Sequence, residues 1–352
     1  MKIIFYISSH GFGHMARNVP VIAALLADSR VERVYVRCAG AHLTFLKDNI
    51  FTGTEKLICL EEETDVGHDP YPGTMIFDRE TTERKVRRYM AGWPERISRE
   101  ADFLKKEGID RGVADIVPWA LAACAQAGVR SLFISNFTWN DIYREYFGGD
   151  ILEPYRRCYE TADRALLYRL AMPGLEQYFR SYRRISYVCR PFSWERAAQI
   201  RAGHTRPIVY ISVGKAVSLT GEIRADGLPW DFIVTEGVPV TGENVTVLDR
   251  GIPDTHNVIL ACDYMISKAG WGSIAEAMLA RKKLALISRP TVAEDCNSIR
   301  QLKEQGLCME ISEEELHDLG RTMEALVWMK PGDFSGCTND VGVICEEILA
   351  EP

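Results

Sequence analysis

Short apolar runs alternate with helix-patterned stretches through most of this chain, and that alternation restricts the fold more than any other feature. Ile3–Ile7 reads as a buried strand, Val19–Leu26 as a helix and Val31–Val36 as a second strand. Short connections between such elements predict parallel-sheet α/β layers. Residues 78–106 carry Val86, Tyr89, Met90, Trp93 and Ile97 at helical spacing, with Pro94 expected to kink or break the helix. Val113–Val117, Ala120–Ala127 and Ser131–Ser135 continue as strand, helix and strand. The series restarts after Pro207 with strands at Ile208–Ser212, Asp231–Thr235, Val245–Leu248, Tyr264–Ser267 and Leu284–Ser288. Between the two series, Tyr187–Arg206 has Pro191, Gly203 and little periodicity, and reads as a linker. A chain of 352 residues is long enough for two domains at roughly 150 residues each. The expected architecture is therefore α/β: two Rossmann-like, doubly wound parallel-sheet domains facing a cleft, at 1–190 and 207–340. A last helix, Val341–Leu349 within 341–352, is expected to pack back on the first domain.

Composition narrows the class. Lys+Arg 42 against Asp+Glu 49 gives a net charge of −7, with no long basic block. That balance argues against nucleic-acid partners and against a polybasic membrane patch. No apolar run approaches the roughly 20 residues a transmembrane helix needs. The N-terminal run stops at Ser8-Ser9-His10-Gly11 without a cleavage site, so it is not read as a signal peptide. The ten cysteines form no C-x-x-C pair, which predicts a reduced, cytoplasmic protein.

In doubly wound sheets ligands sit beyond the carboxyl ends of strands, where the strand order reverses, so motifs that directly follow strands carry most weight. The first is Ser8-Ser9-His10-Gly11-Phe12-Gly13-His14-Met15-Ala16-Arg17, which opens a helix. Gly11-x-Gly13-x-x-Ala16 meets the loose dinucleotide pattern. Its usual ribose-binding acid is missing: the second strand ends Tyr35-Val36-Arg37-Cys38, and Arg37 leaves a 2′-phosphate, hence NADP, open. His14 stands at a helix N-terminus, where the dipole favours a neutral imidazole able to accept a proton; a loop-capping histidine is the plainer alternative. The glycines between His10 and His14 rule out a helical metal pair, and no metal site is expected.

The second loop is Ser267-Lys268-Ala269-Gly270-Trp271-Gly272-Ser273-Ile274-Ala275-Glu276, again strand, glycine turn and helix. Bare N–H groups at the helix start make an anion site, glycines allow a diphosphate to approach, and Lys268 adds a charge. Glu276 is placed to accept hydrogen bonds from ribose hydroxyls. Ser273-x-x-Glu276 is equally a capping box, as is Ser312-x-x-Glu315 elsewhere in the chain, where no glycine loop precedes it. Gly214 and Lys215, after the first strand of the second series, are further phosphate candidates. Glu294 and Asp295 follow a later strand and are either sugar-binding acids or solvated loop acids.

Together these residues resemble the nucleotide-sugar glycosyltransferases of the B-type fold. Lys268-Ala-Gly-Trp-Gly-Ser-x-x-Glu276 is similar to their donor box His-Cys-Gly-Trp-Asn-Ser-x-x-Glu. Gly270, Trp271, Ser273 and Glu276 match it, while Lys268 replaces the histidine and Gly272 the asparagine. The resemblance implies Glu276 on the donor ribose and the Gly270–Ser273 turn on the diphosphate. It puts Arg250, with Ile252 beside it, where the family stacks a tryptophan on the base, and Glu294-Asp295 near the sugar-reading acid, without the family's glutamine. It further implies His14 as base on an acceptor hydroxyl, held by Asp115, with Gly11, Phe12, Gly13, Arg17, Asn136 and Trp139 on the acceptor side.

A closer similarity is carried by His10-Gly-Phe-Gly-His14-Met-Ala-Arg17, Ala114-Asp-Ile-Val-Pro118, Ser135-Asn-Phe-Thr-Trp-Asn-Asp-Ile-Tyr143 and the Gly270 box. These resemble the glycosyltransferase-like N-terminal half of plant L-arabinokinases. No kinase-type phosphate loop is present, so sugar-kinase activity is not implied. The G-x-G-H-x-x-R segment also resembles a UDP-sugar hydrolase of bacterial nonulosonic-acid synthesis. The expectation is thus a metal-independent hexosyl or related transferase. It uses a nucleotide diphosphate-sugar, such as a UDP-sugar, as co-substrate, a small-molecule or glycan acceptor, and no other cofactor. A hydrolase on the same scaffold, a noncatalytic nucleotide-sugar binder and an NADP oxidoreductase are the alternatives.

Overall fold

The computed structural model describes residues 1–67, 77–214, 219–249, 252 and 254–350. The chain divides into two compact units, Met1–Ser186 with Asp340–Pro352, and Tyr187–Asn339. In the first unit the elements run β1 (Lys2–Ile7), α1 (Phe12–Ala27), β2 (Arg33–Cys38), α2 (Gly40–Asp48), β3 (Leu57–Glu61), α3 (Arg79–Ala91) and α4 (Trp93–Glu107). They continue as β4 (Arg111–Asp115), α5 (Pro118–Ala127), β5 (Arg130–Ser135), α6 (Trp139–Tyr143), α7 (Gly149–Tyr159), β6 (Arg164–Leu167) and β7 (Tyr182–Arg184). The second unit holds α8 (Trp194–Ala202), β8 (Ile208–Ser212), β9 (Ile223–Arg224), β10 (Asp231–Thr235), β11 (Val240–Thr241), β12 (Val245–Leu248), α9 (Thr255–Ala261), β13 (Tyr264–Lys268) and α10 (Trp271–Leu279). It closes with β14 (Lys283–Ile287), α11 (Ala293–Glu304), β15 (Cys308–Ile311), α12 (Glu313–His317) and α13 (Leu319–Trp328); α14 (Val341–Leu349) returns to the first unit.

Both main sheets are parallel, with strand orders β3-β2-β1-β4-β5-β6-β7 and β12-β10-β8-β13-β14-β15. The order reverses between β1 and β4 in one sheet and between β8 and β13 in the other. Register brings the strand ends together there: Ile7 lies beside Asp115, and Ser212 beside Ser267. The loops after these four strands are the ligand positions of a doubly wound sheet. The central strands are apolar at consecutive positions because helices cover both faces; Ile208–Ile211 are all buried.

Local chemistry explains the boundaries. The helical pattern over 78–106 is broken at Gly92, which ends α3 and precedes α4, and Pro94 sits in the first turn of α4, where its missing N–H costs nothing. The stretch expected to be a linker contains α8, whose N-cap Ser193 accepts from the Arg196 N–H. Arg111 donates from Nε to Ile348 O at 3.0 Å and from Nη2 to Ala350 O at 2.7 Å. It thereby satisfies carbonyls that the end of α14 leaves open, while the helix packs on α1. Among the described residues no helix is long and apolar enough to cross a membrane, and all ten cysteines are free thiols.

Candidate functional site

In the first unit, β1 runs into a glycine loop in which Gly11 takes φ 78° and serves as N-cap of α1. That left-handed backbone suits glycine, and no side chain caps the helix start. His14 therefore falls in the first turn of α1, over the end of β4. Its Nδ1 lies 2.7 Å from Asp115 Oδ1. Asp115 also accepts from Arg17 Nε at 2.8 Å, from Arg17 Nη2 and from Asn18 Nδ2 at 2.5 Å. Burial alone would raise the Asp115 carboxyl, but the charges and hydrogen bonds of Arg17 and His14 outweigh it and hold the group down at about 2. Arg17 Nη2 is also 2.8 Å from His14 Nδ1, a contact in which only Arg17 can be the donor. With the Nδ1 proton facing the ionised Asp115 the lone pair lies on Nε2, whereas the Arg17 contact by itself suits the opposite tautomer.

Behind this group Arg17 Nη1 donates to Asn136 Oδ1 at 2.8 Å and Nη2 to Ser135 Oγ at 3.0 Å, tying the end of β5 to the same carboxylate. Directly after Asp115, Ile116 holds φ 66°, a left-handed backbone that is costly for a β-branched residue. Tyr159 OH donates to Ile116 O at 2.9 Å and pins the turn.

One carboxylate here lay outside every motif. Asp65, in the loop after β3, is buried and accepts from Ser9 N at 2.8 Å and from Trp139 Nε1 at 3.0 Å. Burial raises its carboxyl, and its hydrogen bonds and His14 only partly offset that. Trp139 (1% exposed) and Asn136 (0%) thus sit beneath the loop. Gly11 and Gly13 are exposed, and Phe12 stacks on His42 at 4.5 Å. Arg37 pairs with Glu100 at 2.8 Å and Glu62 at 3.0 Å, so both acids already hold the guanidinium that a 2′-phosphate would need.

In the second unit, β13 ends at Lys268 and α10 begins at Trp271 with Gly270 as N-cap. No side chain caps α10, so Ser273 and Glu276 do not form a capping box; Ser312 and Glu315 do form theirs at the start of α12. A helix start of this kind suits an anion. Gly214, after β8, has φ 76°, and a Cβ there would stand 3.0 Å from Lys268 Cε, so the lysine stem lies across this glycine. Burial, and then Arg289, lower the Lys268 ammonium below its ordinary value. It makes no hydrogen bond or ion pair with another described residue. Gly272 has open space around its Cα.

Glu276 is held by Arg190, Nη2 to Oε1 at 3.2 Å. Trp271 is buried against Tyr187, ring centroids 5.9 Å apart. Asp295 is buried and accepts from Arg289 Nε at 2.6 Å, while Glu294 beside it is half-buried at the start of α11. Ile252 is half-buried and donates its N–H to Asp249 O at 3.2 Å. Lys215 and Arg250 lie outside the described residues. Gly214, Lys268, Gly270 and Glu276 are thus gathered around the ends of β8 and β13. Arg190 and Arg289, absent from the sequence reading, belong to the same neighbourhood.

With this geometry the chain has the two-Rossmann, B-type fold of glycosyltransferases. Three solved structures illustrate it: the kitacinnamycin glycotransferase (14% identity, 99% of this chain and 95% of that chain, TM-score 0.63), Arabidopsis thaliana UGT89C1 complexed with UDP-L-rhamnose (13%, 99% and 94%, 0.63) and Acinetobacter baumannii MurG (12%, 99% and 99%, 0.61). Among characterised proteins the chain is similar to the L-arabinokinase of Arabidopsis thaliana, 25% identical over 315 residues and 83% of this chain. The match spans 28% of that protein's length. No family model matches the chain.

Proposed function

We propose that this protein is a cytoplasmic, metal-independent glycosyltransferase that moves a sugar from a nucleotide diphosphate-sugar to an acceptor hydroxyl. The reading is carried by the buried, ionised Asp115 on Nδ1 of His14, which leaves Nε2 as a proton acceptor at the switch point of the first sheet. His14 Nε2 takes the proton of the acceptor hydroxyl as that oxygen bonds the anomeric carbon. The bond from that carbon to the diphosphate oxygen breaks, and the nucleoside diphosphate leaves with the electron pair. Lys268 and the uncapped start of α10 receive the diphosphate charge, and Gly214 with Gly272 lets it approach. Glu276 takes the ribose. Gly11, Phe12 and Gly13 line the acceptor side, whereas Arg17, Asn136 and Trp139 support the loop from beneath. The reading assigns the sugar donor as co-substrate and no other cofactor. UDP is the nucleotide to test first, because UGT89C1 carries UDP-L-rhamnose on this fold.

The test is calorimetric binding of UDP, GDP, dTDP and NADP, followed by nucleotide release from UDP-sugars with and without acceptor alcohols. Binding of a nucleoside diphosphate and acceptor-dependent release, reduced at least about 100-fold in His14→Ala, are expected. Release that needs no acceptor would make the protein a hydrolase using water at His14. Binding of NADP without any diphosphate response would overturn the proposal.

A further inference from the structure

Arg190 precedes α8 in an aperiodic stretch that carries no motif, yet it is the ionic partner of Glu276. Its Nη2 donates to Glu276 Oε1 at 3.2 Å, with the two side chains 9% and 13% exposed. The same nitrogen lies 3.4 Å from Thr255 Oγ1 at the start of α9. The backbone that carries it is fixed within the second unit: Tyr187 N–H donates to Thr338 O at 3.1 Å, and Asn339 Nδ2 to Cys189 O at 3.1 Å. Glu276 Oε2 has no hydrogen-bond partner among the described residues.

We propose that Arg190 is a positioning residue of the donor site, holding Glu276 ionised through Oε1 so that Oε2 stays an acceptor for the ribose of a nucleoside diphosphate. This rests on the donor reading above and extends it to a residue outside the donor box. The groups facing Glu276 make the argument. Burial pushes its carboxyl up, and Arg190 draws it part of the way back. The Cys189 thiol is pushed up to about 12, by burial first and then by Glu276. The Tyr210 hydroxyl on β8 is raised, again mainly by burial. His256, which faces Arg190 from α9, is drawn down to about 4 by burial and then by that guanidinium. All three are neutral near pH 7, so among the described residues Arg190 supplies the only ionic partner of this carboxylate. Without it, a buried carboxyl takes up a proton, and its hydrogen-bond chemistry at the ribose changes.

The experiment is calorimetric titration of the full chain with UDP from about pH 5.5 to about pH 8.5, using wild type, R190Q, R190K and E276Q. R190Q is expected to lose affinity as pH falls, by up to about tenfold per pH unit, and to recover toward wild type at the alkaline end. R190K should restore much of the flat profile, and E276Q should bind weakly at every pH. Infrared difference spectra of R190Q against R190Q/E276Q should show the stretch of a protonated carboxyl at acid pH. R190M gives the same comparison if R190Q does not fold. Weakening by one factor across the whole pH range, or no carboxyl band, would overturn the role and leave the donor reading standing. Wild-type protein that binds no nucleoside diphosphate would overturn the donor reading and this role with it, whatever the infrared band shows.

Discussion

Asp115 gathers donors from three side chains in a site closed to solvent, and its charge is what keeps Arg17 buried at low cost. Asp115→Asn keeps the shape and removes the charge, leaving the guanidinium without its counterion. The expected loss is about 3–5 kcal/mol of stability, measured by urea unfolding at neutral pH. The sign with pH follows from a folded-state value of about 2, below the ordinary 3.8. Stability from this group is fully present above about pH 4 and is lost as pH falls toward 2, so acid should close the gap between wild type and Asp115→Asn. A gap that stays constant down to pH 2 would refute the assignment. Lys268 is the opposite case, a half-buried cation without a hydrogen-bonded partner among the described residues. Lys268→Met should stabilise the unliganded protein by about 1 kcal/mol and weaken UDP about tenfold while leaving uridine affinity unchanged. Equal losses for UDP and uridine would count against a diphosphate contact. His14 was legible from the glycine loop that opens α1, whereas Asp115, the last residue of β4, entered only through the family resemblance. Asp65 and Arg190 were not legible, since a lone carboxylate in a loop and a lone arginine in an aperiodic stretch look like solvated surface until their partners are known.

Gly112 on β4 shows how one residue sets the distance between a strand and its helix. A Cβ at this position would stand 2.4 Å from Cys124 Sγ on α5. Gly112→Ala should therefore cost about 1–3 kcal/mol, and adding Cys124→Ala should recover much of that loss; simple additivity in thermal unfolding would show that the two do not meet. Strands with long apolar runs, β1, β5, β8, β13 and β14, were readable within a residue or two. Of the short ones, β12 was read at its observed bounds, but β6 and β7 were not. β6 spans Arg164–Leu167 and β7 Tyr182–Arg184, an exposed edge whose arginines pair with Glu347 of α14 and Glu176. So few residues give little period to detect, and in β6 and β7 the neighbouring strand imposes the strand state. α8 escaped notice for a related reason: it buries little beyond Ala197, with Trp194 75% exposed, so its sequence lacks an apolar stripe.

At the scale of the whole chain, the second unit is continuous in sequence and the first is not. Ser186 N–H donates to Asp340 Oδ2 at 2.7 Å, so the chain leaves and re-enters the first unit at one place. A polypeptide of residues 187–339 should therefore fold by itself and bind UDP, and a chain with Ser186 joined directly to Asp340 should fold as the first unit. Residues 1–186 alone should expose the α1 surface that α14 covers, and be measurably less stable or aggregate. Cooperative unfolding of the joined form no better than that of 1–186 would contradict this division. The same detour through the second unit orders events in time. A ribosome delivers α1 early and α14 only after all of 187–339 has emerged, so the second unit can complete its fold while the first still waits for its closing helix. A nascent chain would acquire its Glu276 half before its His14 half, the reverse of their order in the gene.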